Sequence, residues 1–215
     1  MIYYSFYYLL IGACLALAVA LVIRGSRRHF PLAILFTVTL LVELGAEILI
    51  ALNIPFVWLY HIYSPVEYSL ISLFIAGGIE SLRIRRAIRV SIPVFVAASL
   101  SLSTIVYRYA DMPSINIGIE SLLVFSQATV RLFNLEVTED EPIFHKESFW
   151  ISTGLLLFFG VCTFILGVYS PLFKLNPNDA LNLFGMIVKP FNLILYTFIM
   201  AGLLCSVPGK SSTRR

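Results

Sequence analysis

Five ionisable side chains, Glu43, Glu47, Glu67, Glu120 and Lys189, stand inside long apolar stretches of the chain. A carboxyl or ammonium group at membrane depth is rare; it turns toward a protein interior or a wet cavity and marks ligand sites, ion paths or proton relays. Glu43 and Glu47 are four residues apart, hence on one helical face, with Glu43 near the midplane of its stretch and Glu47 nearer the outer end. Glu67 and Glu120 lie about two turns in from the outer ends of theirs, and Lys189 lies near mid-bilayer in the last. This placement predicts a polar cavity open to the outside, in which Glu47, Glu67 and Glu120 supply hydrogen bonds or charge and Glu43 pairs more deeply with Lys189. A charged residue at the centre of a span costs about 2.5–3.5 kcal/mol, so a helix carrying both Glu43 and Glu47 inserts with little margin. The same residues also fit plain structural glue, as buried carboxyls bonding to hydroxyls such as those of Thr37, Thr39 or Ser72.

Other chemistries find little support. A desolvated lysine on a seventh helix is the amine a retinal Schiff base needs, but the surroundings of Glu67 lack the Asp-centred pattern of microbial rhodopsins. There is no His-Glu-x-x-His, no Gly-x-Ser-x-Gly and no set of three histidines for zinc. His29, His61 and His145 are dispersed and read as interfacial or loop residues. Cys14, Cys162 and Cys205 all fall in apolar runs and read as packing side chains rather than a disulfide or metal framework. No catalysis, cofactor or metal is expected.

The elements that must hold these residues follow from composition. Of 215 residues, 59% are hydrophobic and 13% charged, about half the charged share of a soluble domain. Mean hydropathy is +0.91. Apolar runs at 3–23, 32–52, 61–79, 90–107, 115–135, 149–169 and 180–205 each approach the about 20 residues that cross a bilayer as a helix. The expectation is an all-α, seven-helix transmembrane bundle, one domain over residues 1–215, with no room for a soluble catalytic or DNA-binding unit. Arg24, Arg27 and Arg28 follow the first run rather than precede it, so that run reads as a span and not a signal peptide.

Arginines and lysines crowd the odd connections: Arg24 to Arg28, Arg83 to Arg89, Arg131 and Lys146, then Lys210 to Arg215 in the tail. The alternate side holds Arg108 and Lys174, which places the N-terminus outside and the C-terminus in the cytoplasm. Tyr3, Tyr4, Tyr7, Tyr8, Trp58, Tyr60, Tyr63, Tyr107, Tyr109 and Tyr169 read as an outer aromatic belt, and Trp150 as an inner anchor. Gly12, Ala16 and Ala20, and Gly160 with Gly167, form small-residue stripes suited to close helix packing. The basic segment Ser81–Arg89 and the acidic segment Glu136–Glu147 read as the two sizeable cytoplasmic loops, suited to lipid headgroups or a docking partner.

Several segments together resemble a group of bacterial seven-span membrane proteins familiar from Bacteroidota-like genomes, and are similar to the membrane-embedded sensor portions of histidine kinases. They are Tyr60-His-Ile-Tyr-Ser-Pro-Val-Glu67 running on to Phe74, Glu120-Ser-Leu-Leu, Glu141-Pro through Trp150 and Gly154 to Gly160, and Asn192 in Phe-Asn-Leu-Ile-Leu-Tyr. The resemblance implies a sensor-like role in the bacterial cytoplasmic membrane and marks Tyr63, Pro65, Glu67, Glu120, Trp150, Gly154 and Asn192 as matching positions. A kinase's catalytic region has no counterpart here, so a signal would pass to a separate protein.

The reading that results is a sensor or receptor-like protein that binds a small ligand or a proton through Glu43, Glu47, Glu67, Glu120, Lys189, Tyr63 and Asn192. Its expected partners are the lipid bilayer, that ligand and a cytoplasmic signalling protein, with no role for nucleic acid. A small solute or proton-coupled transporter, with a helix break at Pro190, and a structural subunit of a membrane complex are the alternatives.

Overall fold

The computed structural model describes the backbone of residues 2–107, 109, 112–135, 142–175 and 177–207, and the side chains of these apart from 2–4 and 166–185. Within them the chain forms seven α-helices and no strand: α1 (Ile2–Ile23), α2 (Phe30–Ala51), α3 (Trp58–Gly77), α4 (Leu82–Leu102), α5 (Ser114–Phe133), α6 (Glu147–Leu175) and α7 (Pro177–Cys205). Apolar residues on nearly every face make these segments helical, because a helix satisfies its own backbone without water.

Five of the seven, α1, α2, α4, α6 and α7, contain stretches long and apolar enough to cross a membrane. The protein is therefore a helical bundle of membrane type. The exceptions, α3 and α5, carry polar residues on the faces they bury: His61, Ser64 and Ser72 on one, Asn116, Glu120, Gln127 and Arg131 on the other. They can do so because α3 packs among α2, α4 and α5, and α5 among α3, α4 and α6. α1 closes on α7, so α1, α2, α3, α5, α6 and α7 make a ring, and direct α3–α5 packing leaves α4 outboard.

Local sequence explains where elements begin and end. A 3-10 turn, Arg27–His29, leads into α2, whose Pro31 lies in the first turn where no backbone donor is needed. Asn53 takes a positive φ of 55° in the α2–α3 turn, a conformation asparagine tolerates. At its far end α4 loosens into a π-helical turn, Ser103–Tyr107, followed by Tyr109 at φ 59°.

Several expectations are corrected. Ser81–Arg89 is not a loop: α4 starts at Leu82, because its arginines favour helix and its apolar residues continue the period. Pro190 does not break α7, which runs through it uninterrupted. The Gly12 stripe does not serve close packing: Ala16 and Ala20 are exposed, and a side chain at Gly12 would meet nothing within 4 Å. Close approach occurs instead at Gly154 and Gly202, where α6 meets α7, and Gly160 lies against Phe125. The acidic residues Glu136, Glu139, Asp140 and Glu141, and the side chains of Tyr3, Tyr4, Gly167, Tyr169 and Lys174, lie outside the described residues.

Candidate functional site

Carboxyl groups from three helices converge inside the ring. On α2, Glu43 is half-buried and accepts a hydrogen bond from the Tyr7 hydroxyl of α1 at 3.3 Å. On α3, Glu67 is half-buried, within hydrogen-bonding reach of Tyr63 one turn earlier, and lies between Glu43 and Glu120, close enough to feel both. On α5, Glu120 is fully buried and accepts a 2.6 Å bond from Ser64 Oγ of α3. Tyr196 of α7 packs its ring against Tyr7 at 5.7 Å, and Cys162 of α6 faces Glu67 and Glu120. Every helix of the ring thus brings a side chain near these acids.

The hydroxyls around the acids are themselves held in place. Tyr63 shares a 2.9 Å hydrogen bond with Thr39, whose Oγ1 also donates to the Leu35 carbonyl at 2.8 Å. Tyr7 and Tyr63 are therefore interior ligands of the acids and not belt residues, as a position near a helix end had suggested. The cause is the side-chain direction: Tyr7 and Ile11, one turn apart, both turn into the core.

The remaining expected site residues lie elsewhere. Glu47 is exposed and takes a 2.7 Å hydrogen bond from Tyr8 at the outer edge of the bundle. Lys189 is exposed on α7, and Glu43 takes a hydrogen bond from Tyr7. Asn192 is half-buried on α7, one turn before Tyr196. The hydrogen-bond partners that Glu43 and Glu120 show are hydroxyls, and the two ion pairs seen among the described residues belong to Glu147.

Burial separates these carboxyls energetically. Glu120→Ala leaves Ser64 without its acceptor and opens a hole in the core, and should cost about 2 kcal/mol. Glu47→Gln, at an exposed site, should change stability by less than about 0.5 kcal/mol. Unfolding of the purified chain in mixed micelles measures both, and equal losses would mean that Glu47 and Glu120 share one environment.

The sequence reading missed a polar seam between α3 and α5. His61, expected at an interface, is fully buried with Nδ1 2.8 Å from Ser103 Oγ, flanked by the rings of Tyr107 and Tyr109 at 5.6 and 5.2 Å. The π-helical turn and the left-handed Tyr109 are what bring those rings round it. Asn116 donates to Ser103 Oγ at 3.1 Å and to Ser99 Oγ at 3.0 Å. Deeper along the seam, Ser72 donates to Gln127 at 2.9 Å, and Gln127 to the Tyr68 hydroxyl at 2.9 Å.

The seam ends in a charged cluster. Arg131, expected beside a loop, is fully buried on α5, its Nη2 donating to Ser148 Oγ at 2.8 Å. Arg28 donates to the same oxygen at 3.0 Å and lies 3.7 Å from Glu147. His29, also expected at an interface, is buried between Ser26 Oγ at 2.7 Å and Glu147 Oε1 at 3.0 Å. The available signal was position: residues 116, 120, 127 and 131 recur at helical spacing on one face of a run that extends to Leu135. His145, by contrast, is exposed in a short 3-10 turn.

Asn116 Oδ1, Glu120 Oε1, Arg131 Nε and Ser152 Oγ are buried without a protein partner, and three of these four belong to α5. Outside the ring, a groove of about 670 Å³ lined by Leu82, Arg83, Arg86 and Val94 runs along α4, away from the acids. No protein-family model, no curated protein and no solved structure matches the chain.

Proposed function

We propose that this chain is a seven-span sensor or receptor-like protein of a bacterial cytoplasmic membrane, binding a small cationic ligand or a proton between Glu43, Glu67 and Glu120. One observation carries the reading: carboxyls of α2, α3 and α5 lie within electrostatic reach of one another inside the ring, and the hydrogen-bond partners they show are hydroxyls. Acids so enclosed are complementary to a positive charge, because burying unpaired carboxylates is costly. Tyr7, Tyr63 and Tyr196 add hydroxyls and aromatic faces, and aromatic faces attract organic cations.

α3 and α5 count as spans in this reading despite their polarity, since neighbours shield their polar faces from lipid. Arg28, Arg131 and the α6 start gather at one end, which the positive-inside rule assigns to the cytoplasm. A ligand shifts such a bundle only through different contacts in two conformations. The α3–α5 seam, joining the acid hollow to the Arg131 cluster, is the element through which a cytoplasmic partner would sense the change.

The polar seam also favours a second reading, a proton-coupled transporter, because a file of buried polar groups along neighbouring helices can relay ions. Thermal unfolding of the purified chain with tetramethylammonium, ethylammonium and a pH series tests the site. Cation-dependent stabilisation should appear in the wild type, persist in Glu47→Gln and vanish in Glu67→Gln. Indifference of the wild type to every cation and to pH would sink the acid hollow as a binding site. Flux of protons into dye-loaded proteoliposomes that disappears in Glu43→Gln would decide for the transporter.

A further inference from the structure

A second site of opposite sign lies at the far end of the bundle. Arg28, from the α1–α2 connection, and Arg131, from α5, bring two guanidinium groups onto the same Ser148 hydroxyl, at 3.0 and 2.8 Å. Both also stand against the Phe74 ring, at 5.5 and 4.6 Å, and Arg131 Nη1 makes a long 3.4 Å contact to the Phe74 carbonyl. Arg131 is 1% exposed.

Charge does not balance there. Among the described residues Glu147 is the single carboxylate in the cluster; it pairs with Arg28 at 3.7 Å and is shared with His29. Among the described residues Arg131 touches no carboxylate, and the Nε atoms of both arginines are buried without a partner. A buried guanidinium left uncompensated costs several kcal/mol, more than a cation–π contact of about 2 kcal/mol returns. An anion is the missing partner that would offset it.

The cluster also has a way in. Gly77 and Gly78, at the end of α3, are exposed. A side chain at Gly78 would place its Cβ 2.6 Å from Arg131 Nη2 and 2.8 Å from Arg28 Nη2, so both guanidiniums pack directly onto the bare glycine. Only a residue without a side chain lets them close in this way, and the Arg28 side chain, 34% exposed, is the accessible edge of the cluster. Planar guanidinium forks suit phosphate oxygens, and the exposed Arg83 and Arg86 on α4 add positive field at the same end of α3 and α4.

We propose that Arg28 and Arg131, with Ser148 beside them and Gly78 beneath them, bind an anionic phosphate group that approaches from the exposed side of Arg28. At this end of the bundle the phosphate comes either from an anionic phospholipid headgroup or from free phosphate. Basic sites between helices at a membrane surface take lipid headgroups of this kind.

Native mass spectrometry of the full chain released from micelles tests the site, with phosphatidylglycerol, phosphatidylcholine and inorganic phosphate as probes. Wild type should retain phosphatidylglycerol or phosphate over phosphatidylcholine, and Arg28→Gln should lower retention by about tenfold or more. Arg28 is partly exposed, so this variant should fold; Arg28→Lys, which keeps the charge without the fork, and Arg83→Gln with Arg86→Gln serve as controls. Displacement of the lipid by inorganic phosphate assigns free phosphate as ligand, and resistance to displacement assigns the headgroup. Equal retention by wild type and Arg28→Gln, loss confined to the Arg83 and Arg86 variants, or binding of neither probe overturns the proposal.

Discussion

Glu147→Ala should lower stability by about 3–5 kcal/mol, the largest loss expected of any single carboxyl in this chain. Its side chain is 10% exposed and is, among the described residues, the only carboxylate touching Arg28 and His29, and the neighbouring Ser148 bridges Arg28 to Arg131. Removing it leaves three basic groups close together in a poorly hydrated place. The penalty is that of stranded charge more than that of one lost bond, since breaking a buried pair from one side costs far more than the pair contributes as a whole. Stability can be followed by titrating the chain in mixed micelles with dodecyl sulfate. A loss under about 1 kcal/mol would show that water already reaches the cluster freely. Glu147→Gln, which keeps the shape and one acceptor, should fall between wild type and Ala.

Gly202→Leu should cost about 3 kcal/mol, the upper end of overpacking penalties. A Cβ at that position would stand 2.6 Å from Ile151 Cγ1 and 3.0 Å from the Glu147 backbone carbonyl, and the carbonyl belongs to helix α6 and cannot swing aside. Gly154, on the facing surface, approaches Phe198 as closely, at 2.7 Å to its Cβ. These two glycines set the α6–α7 separation, and widening it would also move Glu147 at the start of α6. Gly12→Leu is the matched control, because nothing lies within 4 Å of a side chain there and little should change. Equal effects at Gly12 and Gly202 would refute this account of α6–α7 packing.

The two ends of the bundle differ in the sign of their buried charge. At one end sit Glu43, Glu67 and Glu120; at the other, among the described residues, sit Arg28 and Arg131 with one carboxylate. Along α5, Glu120 and Arg131 are eleven residues apart, about 16 Å at the rise of an α-helix, so they do not neutralise each other directly. Gln127, bonded to Tyr68 and Ser72, lies between them. Glu67 and Glu120 stand on α3 and α5, the same helices that hold Arg131 against Phe74.

What the chain determines alone is its helices and their kinship with lipid. Long apolar runs leave a backbone no other way to satisfy its hydrogen bonds, so all seven helices were legible, with boundaries blurred where arginines extend α4 and where α6 and α7 lengthen. The ionisable residues at depth were legible too, because a charge among apolar neighbours stands out. Their partners were not. Helical spacing gives a face, but which face meets which neighbour depends on ring closure of α1 on α7 and on direct α3–α5 packing, contacts between residues far apart in sequence. That tertiary arrangement turned Lys189 outward, drew Tyr7 and Tyr63 inward, and buried Arg131, His29 and His61. An exposed lysine and a buried one have the same local sequence, and only the packing of distant helices separates them.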